Sequence, residues 1–184
     1  MKQASICVFC GSRTGDHADY MLAATRFGAS FAENNWRLVY GAGDIGLMGA
    51  VARAAQDSGA ETFGVIPTHL LKKEVGKRDL TNFIVTENMH ERKKVMFMNS
   101  DAVVILPGGA GTMDEFFEVL TWRQLGLHDK PIFVLNTQGY WDGLLDLLDN
   151  VTKGGFADQS LLTYFKVEKD AEALEASLKE ALAK

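Results

Sequence analysis

Two cysteines and three prolines are all that this 184-residue chain contains of either residue. So few cysteines leave no room for a disulfide framework. So few prolines fit the absence of any low-complexity segment, internal repeat or linker. No apolar run is long enough to span a bilayer, and residues 1–4 lack the apolar region and cleavage site of a signal peptide. Basic residues are not in excess either: the formal net charge is −5, which argues against a nucleic-acid partner. The expectation is a cytoplasmic protein without membrane or nucleic-acid contacts, its residues 1–184 forming one domain.

What is present is an ordinary globular composition, 47% hydrophobic and 23% charged, arranged in alternating segments. Strands are predicted at residues 5–10, 37–40, 61–66, 83–86, 102–106, 132–135 and 164–167. Helices are predicted at 18–34, 47–58, 89–99, 113–125, 141–153 and 171–182. The central strands are unbroken Val/Ile/Leu runs, as expected when both faces are covered. The pattern predicts an α/β fold, a doubly wound parallel sheet with helices on both sides. Residues 70–80, rich in charge, are expected to form a surface loop.

Cys7 and Cys10 are spaced C-x-x-C, but they fall on the first strand, where residues three apart face opposite ways. A redox pair belongs at a helix start and a zinc site needs two further ligands. Two buried thiols are the better reading. His69, His90 and His128 have no metal-ligand spacing, and no metal or cofactor is expected.

Glycine-rich turns follow three strands, at Gly11-Ser12, at residues 41–46 and at residues 107–112. The last is the most informative. Gly108, Gly109, Ala110, Gly111 and Thr112 lie between a strand and a helix, where free backbone N–H groups and the helix dipole can hold a phosphate. Glu115 follows one turn later. Thr112 and Glu115 also fit a capping box, T-x-x-E, yet a cap alone needs no glycine loop. A carboxylate beside an anion site suits an enzyme that stabilises a cationic transition state on a phosphorylated small molecule. On the helix at 89–99, Met89, Arg92, Lys93 and Met96 share a face. Arg92 and Lys93 there are either snorkelling cations or a phosphate clamp. Residues 41–46 match G-x-G-x-x-G, with Glu61 about twenty residues on. Glu61 starts a strand where a ribose-binding acid should end one, so a tight packing turn outweighs dinucleotide binding.

Three segments, Met89-His90-Glu91-Arg92-Lys93, Leu106-Pro107-Gly108-Gly109-Ala110-Gly111-Thr112 with Glu115, and Thr121-Trp122-Arg123-Gln124-Leu125-Gly126, resemble the Lonely Guy (LOG) family of cytokinin riboside 5′-monophosphate phosphoribohydrolases, often mislabelled lysine decarboxylases. Residues 8–12, 40–49 and 64–67 match as well, so the similarity runs from about residue 6 to residue 156. The resemblance implies a Rossmann-like homodimer that hydrolyses a nucleoside 5′-monophosphate to free base and ribose 5-phosphate. It assigns catalysis to Arg92 and Glu115. It assigns substrate binding to Glu74, Lys93, the loop Gly108, Gly109, Ala110, Gly111, Thr112, Met113 and Asp114, and to Thr121. Ala42 stands where a glycine is usual and Asp114 where Glu is common. The alternatives are a nucleotide-binding or carrier protein without turnover, and a dinucleotide-dependent oxidoreductase.

Overall fold

A computed structural model describes residues 3–71 and 79–183. Among the described residues, seven strands form one parallel sheet: β1 (Ala4–Phe9), β2 (Trp36–Tyr40), β3 (Thr62–Pro67), β4 (Asn82–Thr86), β5 (Ala102–Ile105), β6 (Ile132–Leu135) and β7 (Lys166–Glu168). Their order across the sheet is β4-β3-β2-β1-β5-β6-β7. The central strands β1 and β5 pair in register from Ile6 opposite Ala102 to Phe9 opposite Ile105. Their near-complete burial explains why these segments are unbroken apolar runs. The edge strand β4 is largely exposed.

Helices α1 (Ala18–Glu33), α2 (Gly46–Asp57) and α7 (Ala171–Leu182) cover one face of the sheet. Helices α4 (Met89–Met98), α5 (Ala110–Gln124) and α6 (Asp142–Lys153) cover the other. A short helical turn, α3 (Thr68–Leu71), follows β3. Each face carries its own core: Phe27, Phe31 and Tyr40 on the first, Phe116, Met96 and Trp141 on the second. Cys10 packs into the first core and Cys7 into the second, both as free buried thiols. The alternation of a strand divides the pair, as expected.

The strand order reverses its direction of growth between β1 and β5, whose chains leave the sheet toward opposite faces. That splaying opens a crevice at the C-terminal strand ends. Most boundaries shift by only one or two residues from the sequence expectation, and two differences bear on the site. Part of the anticipated 70–80 loop is helical, since α3 reaches Leu71. Helix α5 begins at Ala110, three residues before the predicted start, with Gly109 as its N-cap. Thr112 therefore sits inside the first turn and does not cap Glu115. Glycine is acceptable at an N-cap, so the glycines that look like loop formers in sequence are already the start of the helix.

Candidate active site

The crevice between β1 and β5 is a cleft of about 510 Å³. Its floor is the end of β1 and the following loop, residues 8–15. One wall is the turn after β5 with the start of α5, and the other is built from Gly41, Met48 of α2 and Met89, Arg92 and Met96 of α4. Gly108, Gly109, Ala110, Gly111, Thr112, Arg92 and Glu115 all line it.

The turn after β5 is held from three sides. Gly11 donates its backbone N–H to the Pro107 carbonyl at 2.9 Å. The Tyr140 hydroxyl donates to the Gly108 carbonyl at 2.6 Å. The buried Thr112 side chain occupies the space a Cβ at Gly108 would need. The first bond of the α5 ladder joins the Met113 N–H to the Gly109 carbonyl at 3.1 Å. The N–H groups of Gly109, Ala110, Gly111 and Thr112 meet no described acceptor, as the first turn of a helix dictates. They face a cleft rather than a neighbouring element, so an anion is what they are suited to hold.

Arg92 is buried and rigidly aimed. Asn88 caps α4 by accepting from the Glu91 N–H at 3.0 Å, and the Glu91 carboxylate accepts from the Glu87 N–H at 2.9 Å. That fixes the helix start one turn before Arg92. Its Nε donates to the Val65 carbonyl at 3.0 Å and its Nη2 to the Gly41 carbonyl at 2.7 Å. Its Nη1 lies 3.8 Å from the Met89 sulfur. The guanidinium is thus bolted to the ends of two strands while one flank stays in the cleft.

Glu115 lies on the α5 wall. Burial pushes its carboxyl up to about 7, with the charges of Asp114 and Glu118 adding to the rise while Arg92 and Lys93 hold it back. A carboxyl near 7 is present in both protonation states at neutral pH and can work as acid or base.

Lys93 is placed differently from its neighbour. Consecutive helical residues diverge by about 100°, and Lys93 turns toward α5 instead of the cleft. Its ammonium lies 2.9 Å from Asp114 Oδ2 and 3.0 Å from Glu118 Oε2. Burial works to lower its pKa, but the two carboxylates more than offset this and raise it. Arg92 and Lys93 therefore do not form one clamp. Asp114 is engaged by Lys93, and neither it nor Met113 nor Thr121 lines the cleft; Thr121 is exposed on the outer face of α5. Glu74 lies outside the described residues. Sequence reasoning missed Arg13, Thr14, Met48 and Tyr140. The Gly11-Ser12 turn pointed at the first two through its place after β1. No local signal marks Tyr140, which arrives from the segment after β6.

Residues 48–178 match a family described as possible lysine decarboxylase. A probable cytokinin riboside 5′-monophosphate phosphoribohydrolase of Oryza sativa subsp. japonica is 42% identical over 179 residues, 97% of this chain and 78% of that protein. This chain belongs to the Lonely Guy family. A cytokinin riboside 5′-monophosphate phosphoribohydrolase of Arabidopsis thaliana is 44% identical over 151 residues, 82% of this chain and 71% of that protein. Among solved structures, the molybdenum cofactor carrier protein of Chlamydomonas reinhardtii superposes with a TM-score of 0.76 at 22% identity, each chain covered in full. That likeness is one of fold. No described lysine lines the cleft.

Proposed function

We propose that this protein hydrolyses the N-glycosidic bond of cytokinin riboside 5′-monophosphates, AMP or both, releasing the free base and ribose 5-phosphate. The observation that carries the reading is Glu115, a carboxyl poised near 7 one turn after four free N–H groups, in a chain with relatives of that activity along most of its length.

The 5′-phosphate sits on the N–H groups of residues 109–112 at the positive end of α5. That anchorage is remote from the bond to be broken, so its binding energy can hold the ribose against Glu115. Cleavage of the C1′–N bond builds positive charge on the sugar. The Glu115 carboxylate stabilises it and orients the attacking water; the hydroxyl goes to C1′, and the proton that Glu115 accepts passes to the departing base nitrogen. Arg92, held by two carbonyls, keeps Glu115 from being wholly protonated and contacts the substrate from the opposite wall. Lys93 acts through α5, pinning Asp114 and Glu118 so that the helix carrying Glu115 is fixed to α4.

The protein works as a homodimer of single-domain subunits in the cytoplasm. Supporting this, Met113, Phe117 and Leu125 stand 37%, 36% and 66% exposed along the outer side of α5, with Thr121 between them. The two free buried thiols suit a reducing compartment, and no described helix is long and apolar enough to cross a membrane. Sedimentation at micromolar concentration is expected to give twice the chain mass.

The deciding experiment incubates the protein with AMP and with isopentenyladenosine monophosphate and separates the products by chromatography. Free base and ribose 5-phosphate are expected from the nucleotides, with the matching nucleosides essentially inert. Tight binding without product would mean a carrier. Comparable kcat/KM for nucleotide and nucleoside would remove the phosphate from the mechanism.

A further inference from the structure

The charged residues lining the cleft, among those described, are Arg13, Arg92 and Glu115. A substrate phosphate brings close to two negative charges at neutral pH. Lys93 is taken up by Asp114 and Glu118. Arg92 spends Nε and Nη2 on backbone carbonyls and is the leading counter-charge to Glu115. Arg13 has no described carboxylate at ion-pair distance and no described hydrogen-bond acceptor.

Its backbone is placed against the anion turn by packing that leaves little slack. Gly11 bonds to Pro107, and a Cβ at Gly11 would lie 3.2 Å from the Gly108 Cα. On the other side the Gly11 carbonyl accepts from the N–H groups of Leu47 and Met48 at 3.1 and 3.3 Å. Gly46, at φ +59°, lets the start of α2 lie flush on the backbone of Ser12 and Arg13. The loop is therefore wedged between the turn after β5 and α2, and the guanidinium springs from a fixed point at the cleft edge.

We infer that Arg13 is a specificity-determining residue that closes over the 5′-phosphate, adding a mobile bidentate cation to the fixed N–H cradle of α5 and making the site select nucleotides over nucleosides. This rests on the hydrolase reading above for the substrate, but not for the phosphate contact itself. An arginine free at a cleft edge is well matched to a phosphate that must enter and leave. Its planar fork fits two phosphate oxygens, and its solvent exposure lets product depart.

The test compares wild type with Arg13→Gln and Arg13→Lys. Ribose 5-phosphate and adenosine serve as separate binding probes in calorimetry, beside KM and kcat for AMP. Arg13→Gln is expected to weaken ribose 5-phosphate about 10- to 100-fold. KM for AMP should rise by a similar factor with kcat changed far less, and Arg13→Lys should recover part of the loss. Adenosine should bind both variants as it binds wild type. Ribose 5-phosphate affinity within two-fold of wild type would overturn the inference, as would an equal loss for adenosine, which would mean a structural or base-side role. Should wild type bind ribose 5-phosphate yet cleave no nucleotide, the hydrolase reading falls while the binding comparison still decides Arg13. Should wild type bind no ribose 5-phosphate, the Arg13 inference falls too.

Discussion

A side chain added at Gly41, Gly43 or Gly46, in the turn after β2, would run into protein: the Arg92 guanidinium, the Met48 thioether, and the backbone of Ser12 and Arg13. A side chain added at Gly109 or Gly111, at the start of α5 after β5, would meet nothing within 4 Å. Both stretches are glycine-rich, both leave a parallel strand and both open a helix. The first spends its glycines on letting protein parts approach each other. The second packs Gly108 on Thr112 but spends Gly109 and Gly111 on keeping space open in front of free N–H groups. A G-x-G-x-x-G match cannot distinguish these uses, because it records only that a Cβ is unwelcome and not what takes its place. Here the motif turn of residues 41–46 seats Arg92, and the turn that the motif does not describe faces the ligand space.

The largest effect is expected at Glu115, the carboxylate on the open turn's helix. Glu115→Gln should lower kcat about 100- to 1,000-fold in a protein that remains folded. The same substitution tests the raised carboxyl. A group whose pKa climbs from 4.5 unfolded to about 7 folded contributes stability that is complete below 4.5 and lost as pH rises through 7. Between pH 4.5 and 7 the wild type should lose stability relative to Glu115→Gln, and wild-type kcat/KM should climb toward pH 7 and above along a limb that the variant lacks. Parallel pH profiles for the two proteins would place the titration elsewhere.

On the packed turn the expectation is the opposite. Gly46→Ala forces a Cβ onto the Ser12–Arg13 backbone at φ +59° and should cost about 3 kcal/mol of stability, from strain and overlap together. Urea unfolding measures it; a variant as stable as wild type would show that the turn has slack. Gly111→Ala separates the two turns in one protein. Alanine in a helical first turn with open space around it should leave stability unchanged or raise it by about 0.5–1 kcal/mol. The new methyl group intrudes on the anion seat, so KM for AMP should rise roughly tenfold, about 1.4 kcal/mol of affinity. Unaltered KM would mean that the ligand lies elsewhere.

The smallest effect is expected at Ala42, which holds φ +57° and is fully buried. Ala42→Gly relieves a left-handed strain of about 1–2 kcal/mol but gives up a buried methyl group worth about 0.8 kcal/mol and adds unfolded-state entropy. The net should fall within about 1 kcal/mol of zero, with kcat unchanged. A large loss would mean that the methyl, which a Cβ at Gly64 would meet at 2.8 Å, is a packing element of its own.

The sheet, its parallel sense and its two-sided burial were legible because unbroken apolar strands and helix-like segments alternate along the chain. Helix boundaries were less so: α5 starts three residues early because glycine signals a loop in sequence and yet is accepted at an N-cap. Of the candidate site, Glu115, Arg92 and the 108–112 turn could be singled out, since each sits beside a local signature. Their convergence on one cleft required the strand order. Lys93 beside Arg92 shows the limit, because a helix face read at 100° steps spreads two neighbours by about a quarter turn and only the position of α5 decides that one meets carboxylates.

Which segments become strands or helices, and which residues carry chemistry, could be read along the chain because both depend on neighbours within a few positions. That residues 11–13, 41, 92, 108–112, 115 and 140 surround one space emerged only from the folded arrangement. So did the engagement of Lys93 while Arg13 has no described partner, and the filling of one glycine turn while the other stays open. Packing and charge pairing act between atoms brought together from distant parts of the chain, and their outcome is set by the order of strands and the register of helices on the sheet.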